Sequence, residues 1–76
     1  MIRYDEHAEF QIARRGIAKD WIELAIRSPD EREDKGSRQS FLKCLPGRHV
    51  KLRVVTARAD PEYVMTAYFD RTEPCA

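Results

Sequence analysis

The sequence predicts an α+β fold in which an N-terminal helical hairpin covers one face of a mostly antiparallel, four-stranded meander. Apolar residues follow a helical period up to about residue 28 and a period of two from about residue 30 onward. Glycine and proline divide the second half into segments that suit short strands joined by turns. Because 76 residues build one small core, we expect a single domain over residues 1–76.

The predicted helices occupy the first part of the chain, after a candidate short strand at residues 2–4. The first helix begins after Asp5, whose charge suits the positive end of a helix, and stops at Gly16. The second covers residues 18–27 and ends before Pro29, since the residue before proline avoids helical geometry. We expect the apolar faces of both helices to cover the sheet through Phe10, Ala13, Ile17, Trp21, Ile22, Ala25 and Ile26.

Four strands are predicted in the second half. The first, residues 30–35, is so highly charged that it suits only the edge of a sheet. The others are residues 38–45, 48–59 and 62–70, and the turns between strands lie at Gly36-Ser37, Pro46-Gly47 and Asp60-Pro61. We expect residues 71–76 to form a frayed tail.

Alternation of side chains in the last two strands predicts the two faces of the sheet. The faces follow from the pleat, which directs successive side chains to opposite sides. The helix-covered face should carry Val50, Leu52, Val54, Met65, Ala67 and Phe69. The open face should carry His49, Lys51, Arg53, Thr66 and Tyr68.

Charge is segregated along the chain, although the net charge is only +1. Residues 1–34 have a net charge of -3, whereas residues 35–58 contain seven Lys or Arg residues and no acidic residue. A local positive field of this kind attracts polyanions, so we expect a nucleic-acid-binding surface, or alternatively a merely solvated sheet face. The candidate nucleic-acid-binding residues are Arg38, Lys43, Arg48, His49 and Thr66.

Other classes of protein are disfavoured. No apolar run approaches the roughly 20 residues of a membrane span, and we see no signal peptide. Cys44 and Cys75 form no disulfide framework, and Cys44 in a strand is expected to be a packed thiol. We therefore expect a cytoplasmic protein. The histidines and cysteines lack zinc-type spacing and no phosphate-binding glycine loop is present, so we expect neither a metal nor a cofactor.

Several short motifs form a pattern: His7-Ala8, Arg15-Gly16-Ile17, Trp21 with Leu24, Pro29-Asp30, and Thr66 with Tyr68. This pattern resembles the small bacterial DUF4258 domains, which are similar to the RelE/ParE and BrnT toxin-like group. The resemblance implies a RelE-like fold, a metal-independent endoribonuclease of toxin–antitoxin type, and an antitoxin-like protein partner. The family pattern has an arginine midway between His7 and Arg15, where this chain has Gln11.

Cleavage of RNA without a metal needs a group that exchanges protons and cations that stabilise the charge on phosphorus. Histidine is the residue type that titrates near neutral pH, and His7 is the stronger candidate because His49 suits an ordinary turn. The remaining candidate catalytic residues are Arg15, Lys51, Arg53 and Tyr68. Each also has a structural explanation, such as helix capping, a solubilising surface charge or strand propensity.

Two functions remain open at this stage. One is a toxin-like RNA-binding protein with ribonuclease activity, for which His7 and Arg15 are the main support. The other is a non-enzymatic module that binds a protein or a nucleic acid through the same surface, which the loss of the family arginine at Gln11 favours. The sequence leaves the oligomeric state undetermined.

Overall fold

The computed structural model describes residues 1–75, which form two helices and five strands. The elements are β1 (Arg3–Tyr4), α1 (Glu6–Arg15), α2 (Lys19–Arg27), β2 (Glu31–Lys35), β3 (Arg38–Lys43), β4 (Val50–Ala57) and β5 (Asp60–Pro74). All five strands belong to one sheet in the order β1-β5-β4-β3-β2. Both helices pack on the same face of this sheet.

The predicted fold class is wrong in two respects. The sheet is five-stranded and mixed, because β1 lies beside β5 in parallel orientation while the remaining neighbours are antiparallel. The helices also form no packed hairpin: α1 contacts β5, whereas α2 contacts β3, β4 and β5. The chain passes directly from β1 into α1, and the backbone N–H of Asp5 donates to the carbonyl of Val64 (2.9 Å). This connection fixes α1 above β5 and leaves the centre of the sheet to α2.

Gly16 ends α1, as the sequence predicts. It adopts the left-handed conformation (φ 66°), which glycine reaches without steric cost, and its N–H donates to the carbonyl of Ala13. The N–H of Ile17 then bonds to the carbonyl of Ile12 (3.1 Å), and the Ile17 side chain is buried. The turn therefore directs the chain down to the sheet before α2 begins.

The predicted buried face is correct for α2 and wrong for α1. In α2, Ile22 and Ala25 are buried, and Trp21 and Ile26 pack against them while partly exposed. In α1 the buried residues are Ala8 and Ile12, whereas Ala13 and Phe10 are exposed, Phe10 by 62%. Packing of α1 against β5 buries the face that carries Ala8 and Ile12. A helical wheel of α1 alone does not reveal which face this is.

The predicted alternation in β4 and β5 holds between the register shifts at Val50/Lys51 and Val55/Thr56, and Val50 lies outside the core cluster. Leu52 lies opposite Phe69 and Val54 opposite Ala67, and all four belong to or pack against the helix-side core, as predicted. The register then shifts: Val55 faces Thr66, but Thr56 faces Val64, so Met65 has no opposite residue. Val64 is consequently in the core and Met65 is not, which corrects both predictions. An extra residue reverses the alternation beyond it.

The last turn and the C-terminal segment also differ from prediction. The turn lies at Arg58-Ala59, and Asp60 already belongs to β5. Residues 71–74, predicted as frayed, belong to β5, and Pro74 stands opposite Val50 of β4. Ala76, the end of that predicted tail, lies outside the described residues. No helix within residues 1–75 is long and apolar enough to cross a membrane.

A disulfide joins Cys44, just after β3, to Cys75, with a Cα–Cα distance of 5.5 Å. The N–H of Cys75 also donates to the carbonyl of His49 (2.9 Å). The expectation of a packed Cys44 thiol is therefore wrong. Disulfides persist mainly in oxidising compartments, whereas the cytoplasm is reducing. The cytoplasmic location stays a prediction.

Removal of the disulfide should lower the free energy of unfolding by about 3 to 4 kcal/mol, because the bond closes a loop of 31 residues in the unfolded chain. Chemical denaturation of the oxidised protein and of the double variant Cys44→Ser, Cys75→Ser measures this difference. Equal stability of the two proteins would contradict the expected effect.

The aromatic cluster at the N-terminal end of α2 should also contribute strongly to the free energy of unfolding. Trp21 packs edge-on against Phe69, with ring centroids 6.3 Å apart, and the Arg48 guanidinium lies 4.4 Å from the Phe69 centroid. Trp21→Ala should therefore cost about 3 kcal/mol. Phe10→Ala removes an exposed aromatic ring and should cost less than about 0.5 kcal/mol. Similar melting temperatures for the two variants would count against this packing.

Candidate nucleic-acid interface

Lys51 and Arg53 lie on the open face of the sheet, as the sequence predicts. Their neighbours in β4, Leu52 and Val54, face the helices, and the pleat directs the alternate side chains to the other side. Arg53 stands directly opposite Tyr68 of β5. The register across β2, β3, β4 and β5 therefore forms a row from Glu31 through Arg53 to Tyr68.

Carboxylates neutralise both of these cations. Lys51 forms an ion pair with Glu31, and the Arg53 Nη1 donates to Glu33 (3.0 Å). The Arg53 Nε also donates to Asp70 (2.7 Å). The Lys51 and Arg53 side chains are only 15% and 13% exposed. The acidic strand β2 thus folds beside the basic strands and cancels much of the positive field that the sequence pattern predicts.

The hydrogen bonds of this network alter two pKa values. The hydroxyl and backbone N–H of Thr72, followed by the Arg53 guanidinium, hold the pKa of Asp70 below its usual range. The hydrogen bond to Glu31 raises the pKa of Lys51. Both shifts favour the charged forms, so the network keeps its ion pairs at neutral pH.

Arg15 crosses the edge of β5 from the helix side. Its Nη1 donates to the carbonyl of Ala67 (2.9 Å) and lies 3.5 Å from the Thr66 hydroxyl. The guanidinium carbon is 5.8 Å from the centroid of the Tyr68 ring. The end of α1 therefore places a cation at the border of the open face, beside two predicted site residues.

His7 lies at the start of the same helix and is exposed. It lines a groove of about 330 Å³ together with Asp5, Arg38, Met65 and Thr66. Asp5 accepts a hydrogen bond from the Tyr63 hydroxyl (2.9 Å) at the entry to α1. The structure thus brings predicted residues from α1, β3 and β5 to one groove.

A second groove adjoins the first at His7 and is lined by Asp5, Glu6, His7 and Phe10. The exposed Phe10 ring lies one helical turn after His7. Sequence reasoning missed Phe10 as a surface residue because its spacing also suited the core. A further groove, lined in part by Arg38, Arg53 and Tyr68, extends the surface across the sheet.

The other candidate residues are not brought to this surface. Lys43 stands opposite the core residue Leu52 and forms an ion pair with Asp30 (3.5 Å). Arg48 lies over the rings of Trp21 and Phe69 on the helix side.

His49 is exposed in the loop before β4, and its carbonyl accepts the N–H of Cys75. His49 is not among the residues that line the grooves around His7. The structure therefore gives His7, rather than His49, the surroundings of a candidate site.

A family model described as "Domain of unknown function (DUF4258)" matches residues 4–69. The chain belongs to the DUF4258 family. No curated protein and no solved structure matches the chain. The match includes His7, Arg15, Arg38, Thr66 and Tyr68. The relationship of DUF4258 to the RelE/ParE and BrnT group stays a prediction.

Gln11 lies on α1 midway between His7 and Arg15. Its side chain is partly buried, and its Oε1 is buried with no hydrogen-bond donor among residues 1–75. His7 before it and Arg15 after it both reach toward β5. The side chains of His7 and Arg15 therefore lie along the β5 edge, and the unpaired amide oxygen of Gln11 lies between them on α1.

Three carboxylates of this DUF4258 domain, those of Glu31, Glu33 and Glu73, have oxygens within 4.8 Å of one another. Lys51 and Arg53 already bond to this group, and the Arg53 Nη2 lies 3.8 Å from Glu73. The cluster is therefore part of the ion-pair network. The expectation that the chain uses no metal stays a prediction.

The network should make the stability of this DUF4258 domain sensitive to acid. Since the folded state lowers the pKa of Asp70, its contribution is fully present above the unfolded pKa of about 3.9 and disappears as the pH falls through the lower folded value. Asp70→Asn should therefore reduce stability at pH 7 and approach wild-type stability near pH 2. Urea denaturation at several pH values measures the difference, with the exposed Asp20→Asn as control. A loss of stability that is equally large at pH 2 and pH 7 would show that the lowered pKa of Asp70 does not cause it.

Proposed function

We propose that the protein binds RNA along α1 and the adjoining open face of the sheet, and cleaves it without a metal ion. The observation that carries this proposal is the groove shared by His7, Arg38 and Thr66. It combines an exposed imidazole, a cation and a hydroxyl on three different elements. An imidazole can accept a proton and a guanidinium can stabilise charge on phosphorus, and metal-free phosphodiester cleavage requires both of these roles.

Arg38 is the main phosphate-binding candidate. Among residues 1–75, no carboxylate lies within the 4.0 Å of an ion pair with Arg38, in contrast to Lys51 and Arg53. Its guanidinium is therefore available to an RNA phosphate, which it can contact with two parallel hydrogen bonds. Arg15 adds a second positive charge where the helix meets Tyr68.

Two aromatic rings, the exposed Phe10 and the half-buried Tyr68, suit the bases of a single strand. Phe10 is 62% exposed in the groove on one side of His7, and Tyr68 lines the sheet groove that includes Arg38. Bases of single-stranded RNA stack on such rings with little dependence on sequence. Phe10 thus joins the proposed site, although its sequence pattern suggested a core residue.

His7 supplies the proton transfer in the proposed reaction. It accepts the proton of a ribose 2′-hydroxyl, whose oxygen attacks the adjacent phosphorus. The bond to the 5′-oxygen then breaks, and that oxygen takes a proton from solvent. The products are a 2′,3′-cyclic phosphate and a 5′-hydroxyl. Arg38 stabilises the additional negative charge on the phosphate oxygens during this step.

Lys51 and Arg53 have a supporting role in this proposal. Their charges are occupied by Glu31, Glu33, Asp70 and Glu73, so a phosphate would have to compete with four carboxylates. The same observation favours a second function, a non-enzymatic module that binds a protein such as an antitoxin-like partner. The partly buried Gln11 at the family's arginine position supports that alternative as well.

His7→Ala should reduce RNA cleavage by about 100-fold or more, the usual loss on removal of a general acid or base, while the melting temperature stays nearly unchanged. Arg38→Ala should weaken RNA binding about tenfold, because it removes a charged phosphate contact. Gel analysis of a labelled single-stranded RNA in the presence of EDTA measures cleavage, and fluorescence anisotropy with a 2′-deoxy analogue measures binding.

Arg27→Ala is the matched control. Arg27 pairs with Glu23 on α2, so this variant removes one arginine charge outside the proposed site. Binding that depends on Arg38 without any cleavage would favour the non-enzymatic module. Absence of RNA binding, or cleavage that His7→Ala leaves unchanged, would refute the proposed site.

A further inference from the structure

Strand β2 ends the sheet on the side opposite β1, so one of its edges has no strand neighbour among residues 1–75. All five of its residues, Glu31, Arg32, Glu33, Asp34 and Lys35, are exposed. Such an edge offers unpaired backbone N–H and C=O groups to another strand. The pattern of charge on β2 determines which strand fits.

We propose that β2 pairs with β2 of a second copy of the chain, in antiparallel orientation about a two-fold axis at Glu33. In this register Glu31 lies opposite Lys35 of the partner subunit, and Arg32 lies opposite Asp34 of the partner subunit. Symmetry repeats both contacts, which gives four pairs of opposite charge. Directly opposite residues in antiparallel strands are close enough for such pairs to stabilise the sheet.

Other registers bring like charges together. The two-fold axis allows only shifts of two residues, because directly opposite side chains lie on the same face. A shift in one direction places Arg32 opposite Arg32 of the partner subunit and Glu31 opposite Glu33 of the partner subunit, and a shift in the other direction places Asp34 opposite Asp34 of the partner subunit. Parallel pairing in register would place every charge opposite its own copy. Like charges directly opposite each other are destabilising, so the charges of β2 select the register centred on Glu33.

Contacts within the chain leave the cations of β2 without carboxylate partners, although the Arg32 guanidinium lies 5.5 Å from the centroid of the Phe41 ring. Among residues 1–75, neither Arg32 nor Lys35 has a carboxylate within ion-pair distance, whereas Glu33 already bonds to Arg53 at 3.0 Å. The second copy therefore supplies the carboxylates for Arg32 and Lys35. The two Glu33 side chains, which meet at the axis, each bring their own compensating Arg53.

The resulting sheet has ten strands. Because the two-fold axis runs perpendicular to the sheet, the helices of both copies lie on one side and both open faces lie on the other. This arrangement needs no RNA and does not depend on the proposed ribonuclease activity.

Charge exchange across the axis tests the pairing. Arg32→Asp and Asp34→Arg should each raise the dimer dissociation constant by about tenfold, since each replaces two attractive contacts with two repulsive ones. The double variant restores opposite charges and should return the constant to near the wild-type value. Sedimentation equilibrium at an ionic strength of about 0.05 M, where screening is weak, measures all four proteins. Asp34 also lies 3.7 Å from Arg58, so Arg58→Ala serves as the control for that contact.

Crosslinking tests the register by a measurement that does not depend on charge exchange. Glu33→Cys places two thiols at the axis, where opposite Cα atoms lie about 5 Å apart, within reach of a disulfide. Glu31→Cys places its two thiols about 13 Å apart on the same face and should not crosslink. A wild-type chain that stays monomeric up to about 1 mM, a double variant as weak as the single ones, or equal crosslinking at both positions would overturn the proposal.

Discussion

The position of the Arg53 side chain determines how charge is distributed over this fold. From the middle of the sheet, its guanidinium contacts Glu33 of β2 and both Asp70 and Glu73 of β5. It therefore connects the acidic edge strand to the longest strand across the face of the sheet. A single exposed ion pair would contribute little, but a partly buried guanidinium with several partners would leave uncompensated charge if one were removed. The charges at the centre of the open face consequently neutralise one another.

This neutralisation moves the candidate site toward α1. Two accessible cations lie near the start of this surface: Arg15, at the end of the helix, and Arg38, which shares the groove of His7. A polyanion follows accessible charge rather than the number of basic residues in a segment. For the proposed RNA binding, the border between α1 and β5 is therefore a better surface than the middle of the sheet, and exposed Phe10 extends it with an aromatic ring.

Patterns of adjacent residues correctly predicted the features that local backbone geometry determines. The pleat placed Lys51 and Leu52 on opposite faces, and Gly16 ended α1, because each depends on a few adjacent residues. Long-range contacts decided the rest. Lys51 and Glu31 are 20 residues apart in the chain, so their charges looked segregated until β2 folded beside its neighbours. The bulge at Met65, the buried face of α1 and the disulfide likewise depend on elements distant in sequence.

Residues at the C-terminal end of the chain add features that the family match does not imply. Asp70, Glu73 and Cys75 lie beyond the matched residues 4–69, yet two of them bond to Arg53 and the third forms the disulfide with Cys44. His7, Arg15 and Arg38 lie within the match. The groove around His7 therefore belongs to the part of the chain that defines the domain, whereas full neutralisation of Arg53 requires the extension of β5. Without Asp70 and Glu73, Arg53 would keep only Glu33, and the positive surface would reach further across the sheet.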